Sequence, residues 1–228
     1  MIPAILKKVL TAAVANNIAL SQTPVSGTPL TLNGAAVVAG VAVLDTQRRI
    51  LLTFGNEASD RTLVLTGTND AGAAVSETLK VASGAGGTIA SVYDYRTLTS
   101  AVPAGGGWTA AVTLGTNSVG STPWWIPDDA LTPFEVAANV EFPVAATNTT
   151  ASVETTDDTL LMPMSIYGGQ PATIPPPIIA PWSGLTDVGS DSYAVINHNC
   201  SGIRLTVTEG ADGVAVQAVL RQSGIRQS

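Results

Sequence analysis

The sequence predicts an all-β protein made of two antiparallel β-sandwich-like or barrel-like domains, and three observations support this fold class. Glycine and proline are abundant, at 22 and 14 of 228 residues, and both favour tight turns over helices. Short runs rich in β-branched residues recur about every 8–12 residues with turn residues between them, which is typical of sandwiches and barrels. A segment with three prolines, residues 121–133, interrupts this pattern near mid-chain and predicts a domain junction.

The predicted domains are residues 1–120, including an N-terminal arm, and residues 136–228. A linker rich in proline and tryptophan, residues 121–135, joins them. Within the arm, apolar residues over 2–14 recur at helical spacing, but the same stretch also fits an entering strand, so both a short helix and a strand remain open.

The clearest hairpin in the first domain joins residues 61–66 to residues 75–81 through a turn at 69–72. Asn33-Gly34 is a second strong turn signal, because this dipeptide favours two-residue hairpin loops. Further strands of this domain are predicted at residues 37–44, 50–54, 89–95, 97–101 and 108–114.

The second domain begins with predicted strands and is interrupted by a proline-rich loop over 162–181. Its last two strands, residues 203–208 and 214–220, are predicted to form a hairpin around the turn 209–213. The other predicted strands of this domain are residues 134–142, 150–155 and 192–196.

Charge is sparse and unevenly distributed. Charged residues make up 12% of the chain, and the net charge is −7. No lysine or arginine lies between Arg96 and Arg204, a stretch that holds nine acidic residues. Without a basic stripe, direct binding to nucleic acid or to an anionic membrane is not expected. The charge-poor surface instead predicts contact with other protein, including homo-oligomer formation.

The sequence gives little sign of a signal peptide or a membrane-spanning segment, and it has little cysteine from which to infer the redox compartment. The apolar run near the N-terminus is too short for a signal peptide, and no window reaches the roughly 18 apolar residues of a membrane span. Cys200 is the single cysteine, which excludes an intrachain disulfide and favours synthesis in a reducing cytoplasm.

Candidate catalytic and metal-binding groups are few. His198 and Cys200 could form a thiol–imidazole pair, but their setting among Asn and Ser residues is typical of a polar turn. The carboxylate pairs at 128–129 and 157–158 would point to opposite sides of a strand, although loop acids could bind calcium. We therefore predict no enzymatic activity, no cofactor and no metal.

Two groups of residues are candidates for an interface. Trp124, Trp125 and Trp182 lie beside prolines, so they could pack at the domain junction, anchor a partner or stack on a glycan. The second group could form a rigid arm that reaches a neighbour, or an ordinary covering loop. Its members are Pro175, Pro176, Pro177, Ile178 and Ile179.

The order of several segments resembles a family of structural proteins encoded in tailed-bacteriophage genomes, especially those of short-tailed phages. The resemblance covers most of the chain and is least marked over residues 162–181. The segments that carry it are residues 14–24, 30–34, 44–49, 65–72, 75–78, 97–100, 112–117, 121–124, 202–210 and 214–220.

This resemblance implies a virion protein, assembled in the host cytoplasm, that acts through homo-oligomers and contacts with portal or adaptor, tail, fibre or capsid proteins. A collar or adaptor in the neck or tail is the first expectation. Head decoration is the second. A carbohydrate-binding module using the tryptophans is a third reading, and a hydrolase using His198 or the aspartate pairs is the weakest.

Overall fold

The computed structural model describes residues 3–128, 131–145, 147–156, 180–182, 184–197, 200–208 and 213–226. Within these ranges every regular element is a β-strand and every sheet is antiparallel, which confirms the predicted all-β class. The same ranges contain no helix long and apolar enough to cross a membrane. The strands are β1 (Ala4–Lys8), β2 (Val14–Gln22), β3 (Val37–Val38), β4 (Val41–Phe54), β5 (Arg61–Thr68), β6 (Ala74–Val81), β7 (Gly87–Ala104), β8 (Val112–Thr116), β9 (Val119–Ser121), β10 (Leu131–Glu141), β11 (Thr150–Thr156), β12 (Ala180–Pro181), β13 (Ser192–Ile196), β14 (Gly202–Thr208) and β15 (Val216–Arg226).

The chain divides into two compact units. Residues 12–120 form the N-terminal unit, and residues 1–11 together with 121–228 form the C-terminal unit.

The N-terminal unit is one seven-stranded sheet in the order β2-β8-β4-β7-β5-β6, with β3 paired to β4. The long strand β7 pairs with β4 mainly through its first half and with β5 through its second half. Glu77 on the edge strand β6 accepts hydrogen bonds from the backbone N–H of Val92 and Tyr93 on β7, at 2.8 and 3.1 Å. These bonds connect the edge strand β6 directly to β7. The core of the unit includes Leu63 and Leu65, both fully buried.

The predicted hairpin of residues 61–81 is confirmed. Strands β5 and β6 pair antiparallel with Leu63 opposite Leu79. In the turn, Asn69 Oδ1 accepts hydrogen bonds from the backbone N–H of Ala71 and Ala73, both at 3.0 Å.

Asn33-Gly34 leads into a turn, in which the N–H of Val37 donates to the Gly34 carbonyl at 3.1 Å, but this turn is not a hairpin loop. The two-residue loop lies instead at Ala39-Gly40, between β3 and β4, where both residues have positive φ, 50° and 81°. Such angles match a loop that follows the right-handed twist of its strands. Residues 33–36 are bonded to the backbone of β2: the N–H of Gly34 donates to the Ile18 carbonyl at 3.0 Å.

A buried carboxylate, Glu57, organises the segment between β4 and β5. Its side chain is 1% exposed. Oε2 accepts the backbone N–H and the hydroxyl of Thr109, both at 3.1 Å, and Oε1 accepts the N–H of Ala110 at 3.0 Å. Burial by itself raises the pKa of Glu57, but these hydrogen bonds and nearby Arg61 outweigh it and hold the pKa below its ordinary value.

Arg61 completes this connection. Its Nε lies 3.5 Å from Glu57 Oε2, and its guanidinium donates to the carbonyls of Gly105, at 2.9 Å, and Gly107. The Glu57–Arg61 ion pair therefore bonds to two parts of the loop between β7 and β8. Glu57 holds residues 109–110, and Arg61 holds residues 105–107.

The C-terminal unit is a β-sandwich of two four-stranded sheets, β1-β15-β10-β13 and β12-β11-β14-β9. Buried side chains from both sheets share one core, with Val136 and Leu220 from the first sheet and Val153 and Leu205 from the second. This agrees with the predicted sandwich architecture.

The N-terminal arm follows the strand alternative of the prediction, but its predicted place in the first domain is wrong. Residues 4–8 form a strand, β1, that pairs with β15 with Ile5 opposite Val219, so the arm belongs to the C-terminal unit. Leu6 and Leu10 pack on the core of that unit, whereas Ile5 is exposed. The period of two, and not the helical spacing, describes which side chains are buried.

The segment predicted as a linker, residues 121–135, is part of the C-terminal sandwich. The N–H of Thr122 donates to the Leu205 carbonyl, and the N–H of Trp125 donates to the Ile203 carbonyl, both at 2.8 Å. Pro123 lies between these two donors, so its missing N–H costs no pairing hydrogen bond. The later part of the segment begins β10.

The final predicted hairpin is wrong. β14 pairs with β11, and β15 pairs with β1 and β10, so the two strands lie in opposite sheets of the sandwich. Both strands have an apolar inward face, and a connection that crosses between layers lets each contribute to the core from its own side.

Candidate functional site

The predicted candidate Trp124 lies over a buried ion pair. The Arg204 guanidinium carbon is 4.6 Å from the centroid of the Trp124 ring. Arg204 Nε donates to Glu154 Oε2 at 2.7 Å, and the Thr206 hydroxyl donates to the same oxygen at 2.8 Å. Ser121 Oγ lies 3.2 Å from the Thr206 hydroxyl oxygen and extends this polar cluster.

Sheet register explains the cluster. Arg204 on β14 stands directly opposite Glu154 on β11, on the face that points away from the core. Their side chains are only 9% and 12% exposed, so the sandwich buries part of this outer face as well. The sequence contained a signal for this arrangement. Arg204 is the first lysine or arginine after Arg96, and all nine Asp and Glu residues between them lack a nearby cation in the sequence.

Trp125 and Trp182 cover the core of the C-terminal unit. Both rings are half-buried and pack against it. The Trp182 N–H donates to the Val153 carbonyl at 2.9 Å, which fixes its backbone to β11. With Arg204 over one face of Trp124 and two rings packed on the core, the geometry favours internal packing of these tryptophans over glycan stacking.

The other sequence-based candidates are only partly located. Residues 175–179 of the proposed arm, His198, and the acidic residues at 129 and 157–158 lie outside the described ranges. Cys200 is buried in the sandwich core, 5% exposed. Among the described residues, no three His, Cys, Asp or Glu side chains are grouped as a metal site requires.

The ion pair under Trp124 leads to a stability prediction. Replacing Arg204 by methionine leaves the Glu154 carboxylate buried without its cation, so we expect the free energy of unfolding to fall by about 3 kcal/mol. Urea unfolding followed by tryptophan fluorescence measures this change. In the double variant Arg204→Met/Glu154→Met the buried charge is gone, and most of the loss should be recovered. Equal losses in the two variants would show that packing, and not charge, dominates.

The structure reveals a second feature that the sequence analysis missed, an open sheet face on the C-terminal unit. On the side of β1-β15-β10-β13 opposite the core, Ile5, Val219, Asn139 and Tyr193 stand side by side in one row across the four strands. Ile5 and Tyr193, at the two ends of this row, are 61% and 64% exposed. We call this surface the open face.

A shallow groove crosses the open face, and residues of three strands line it: Ala137, Asn139, Tyr193, Val219 and Arg221. The groove contains amide, phenol and guanidinium groups beside apolar side chains. That mixture is typical of protein contact surfaces.

The N-terminal unit has an apolar patch of its own. Val38 and Val41 pair across the β3–β4 hairpin, and Val43 follows on the same side of β4. Val38 is 66% exposed and Val43 is 44% exposed. The sequence contained a signal for this patch. The residues around Ala39-Gly40 are a nearly continuous run of valines and alanines, whereas a strand with one buried face needs an apolar residue only at every second position.

Comparison of the chain with protein-family models, with curated proteins and with solved structures gave no match. The fold and the exposed surfaces define the class of this protein as a two-unit, all-β protein with apolar groups on sheet faces.

Proposed function

We propose that this protein is a non-enzymatic structural component of a bacteriophage virion that acts by homo-oligomeric assembly. Within the virion we place it in the neck or tail, as a collar or adaptor that ties the tail or the tail fibres to the head. The family resemblance of the sequence supports the virion role, and the exposed sheet surfaces support the assembly mechanism.

One observation carries the assembly mechanism. Large apolar side chains are exposed as a cluster on the valine patch of the N-terminal unit, and Ile5 and Tyr193 are exposed at the two ends of the row on the open face, while each unit has its own buried core. Single exposed apolar residues need no explanation, but clustered ones on regular sheet surfaces are typical of surfaces that another protein covers.

Charge supports the same proposal. With 12% charged residues, the surface has few groups to keep free monomers apart. The net charge of −7 disfavours contact with packaged nucleic acid, so protein contacts within the particle are the mechanism we propose.

Two measurements test the proposal together. Light scattering of the purified chain in concentrated solution is expected to give a mass above that of the 23.1 kDa monomer, and mass spectrometry of purified phage particles is expected to detect the chain. A concentration-independent monomer that is also missing from particles would overturn the proposal.

Electron microscopy with gold-labelled antibody against the chain then locates it in the particle. Label at the vertex that carries the tail supports a collar or adaptor. Label spread over the shell would replace that position with head decoration and leave the structural role unchanged.

A further inference from the structure

We infer that the open face is where two copies of this chain pair, sheet against sheet, about a two-fold axis that runs parallel to the strands between β15 and β10. In this pairing Ile5 of one protomer lies opposite Tyr193 of the partner subunit. The inference rests on the proposed homo-oligomeric assembly and names the surface and the geometry that it uses.

The distribution of charge on the open face favours a second copy as its occupant. The cations Lys7 and Arg221 are exposed on β1 and β15, which form one half of the sheet. The anions Glu135 and Glu141 lie on β10, and Asp191 directly precedes β13, so the other half is acidic. A surface with one basic half and one acidic half is complementary to itself under a two-fold rotation.

The order of the strands determines which two-fold rotation places the basic half of one copy on the acidic half of the other. An axis parallel to the strands reverses their order across the sheet, so β1 faces β13 and β15 faces β10 of the other copy. Each row then meets the same row: Ile5 meets Tyr193, and Lys7 meets the acidic end at Asp191. Aligned packing of this kind is the common way in which two twisted sheets meet.

The exposed apolar groups are arranged for this contact. Ile5 and Tyr193 stand at the ends of the central row, and half-buried Val219 stands between them. Lys7, Glu141 and Asp191 lie in the next row of the sheet on one side, and Arg221 lies in the next row on the other side. A surface that combines apolar side chains with neighbouring charged groups is typical of a specific protein interface.

The size of the surface indicates when pairing takes place. Four strands about 4.8 Å apart, each contributing about five residues of 3.4 Å, cover roughly 300 Å² per protomer. A standard stable interface buries about 800 Å² of accessible surface per partner, which is more than a flat sheet area of this size provides. We therefore expect a weak contact in dilute solution that is completed by further contacts in the assembled particle. A covalent cross-link is the way to detect such a weak contact.

The test is the double variant Ile5→Cys/Tyr193→Cys treated with a short bismaleimide in concentrated solution. Within one chain the two cysteines are three strand spacings apart, about 14 Å. Across two face-packed sheets they are about 10 Å apart or less, so a linker of that length joins only different chains. We expect cross-linked dimers on a denaturing gel. The native Cys200 is buried and protected from the reagent.

The matched control is Ile126→Cys/Val144→Cys, which places two cysteines outside the open face at positions 60% and 66% exposed. It is expected to give no cross-linked dimer. Adding Val219→Lys to the first variant places a cation at the centre of the row, and the dimer yield should fall about tenfold or more. Val219 lies on an inner strand, so contact between sheet edges would be insensitive to this change.

Light scattering on the same samples separates the failure of this inference from the failure of the proposed function. An oligomeric chain without Ile5–Tyr193 cross-links, or cross-links that persist with Val219→Lys, overturns pairing through the open face but leaves assembly intact. A strictly monomeric chain without cross-links overturns both. Cross-links that depend on Val219 support both.

Discussion

Replacing Glu57 by leucine is expected to lower the free energy of unfolding of the N-terminal unit by about 3–5 kcal/mol, because it breaks a buried ion pair and leaves its cation in place. The backbone N–H groups of Thr109 and Ala110 lose their acceptors. Arg61, itself 8% exposed, loses the carboxylate 3.5 Å from its Nε. No apolar contact compensates for three polar groups whose partner is removed.

Urea unfolding of the variant, followed by circular dichroism, measures this loss. Leucine in place of the exposed Lys80, on β6 of the same unit, is the control, and it is expected to change the free energy of unfolding by less than about 0.5 kcal/mol. If the two variants were equally stable, Glu57 would have no organising role in the loop.

The same carboxylate also predicts how stability depends on pH. Because the pKa of Glu57 is lower in the folded protein than its ordinary value of 4.5, the ionised form stabilises the fold at neutral pH. That contribution is complete above the ordinary pKa and is lost as the pH falls through the lower folded-state pKa. We therefore expect the difference in stability between the native chain and Glu57→Gln to be largest near pH 7 and to shrink below pH 4.5. A constant difference across this range would contradict the assignment.

Features set by neighbouring residues were predictable from the sequence. In the β5–β6 hairpin, Leu63 and Leu65 alternate with polar residues, and the turn residue Asn69 bonds its own backbone. Both the strands and their connection are local, so period and turn chemistry suffice to predict them.

Pairing between distant segments was not predictable in the same way. β1 pairs with β15 at the other end of the chain, and only that partner decides that residues 4–8 form a strand. The sequence showed apolar residues that fit a helix as well as a strand. The partial burial of Leu6 and the exposure of Ile5 settle the choice, and both depend on tertiary contacts.

The candidate site shows the same limit. The sequence identified Trp124 as conspicuous, but its partner Arg204 lies 80 residues away in number and becomes a neighbour only through sheet pairing. The open face combines residues from four strands whose order the sequence does not specify. A run of exposed apolar residues becomes a surface only once the register is known.

The sequence marks Gly34 as important because Asn-Gly favours a hairpin loop, but the structure requires this glycine for a different reason. This glycine is required by a close approach to another strand, while the hairpin loop lies at Ala39-Gly40. A Cβ atom at position 34 would overlap the carbonyl group of Asn17 and would lie 2.6 Å from the backbone N of Ile18.

Replacing Gly34 by alanine is therefore expected to destabilise the N-terminal unit by about 3 kcal/mol or more, since the added methyl group meets backbone atoms that cannot rotate away. Relieving the overlap moves residues 33–36 away from β2. That movement stretches the hydrogen bonds from the N–H of Gly34 to the Ile18 carbonyl, at 3.0 Å, and from the N–H of Ala36 to the Asn17 carbonyl, at 2.7 Å.

Gly107→Ala is the matched control for this substitution, because a Cβ atom there would meet nothing within 4 Å. Thermal unfolding of both variants is expected to show a large drop in melting temperature for Gly34→Ala and a small change for Gly107→Ala. Hydrogen exchange locates the damage: the amide of Gly34, whose bond to Ile18 should be broken, is expected to lose protection, while amides of the β5–β6 hairpin keep theirs. Comparable melting temperatures for the two variants would mean that β2 and residues 33–36 are not held as closely as the overlap requires.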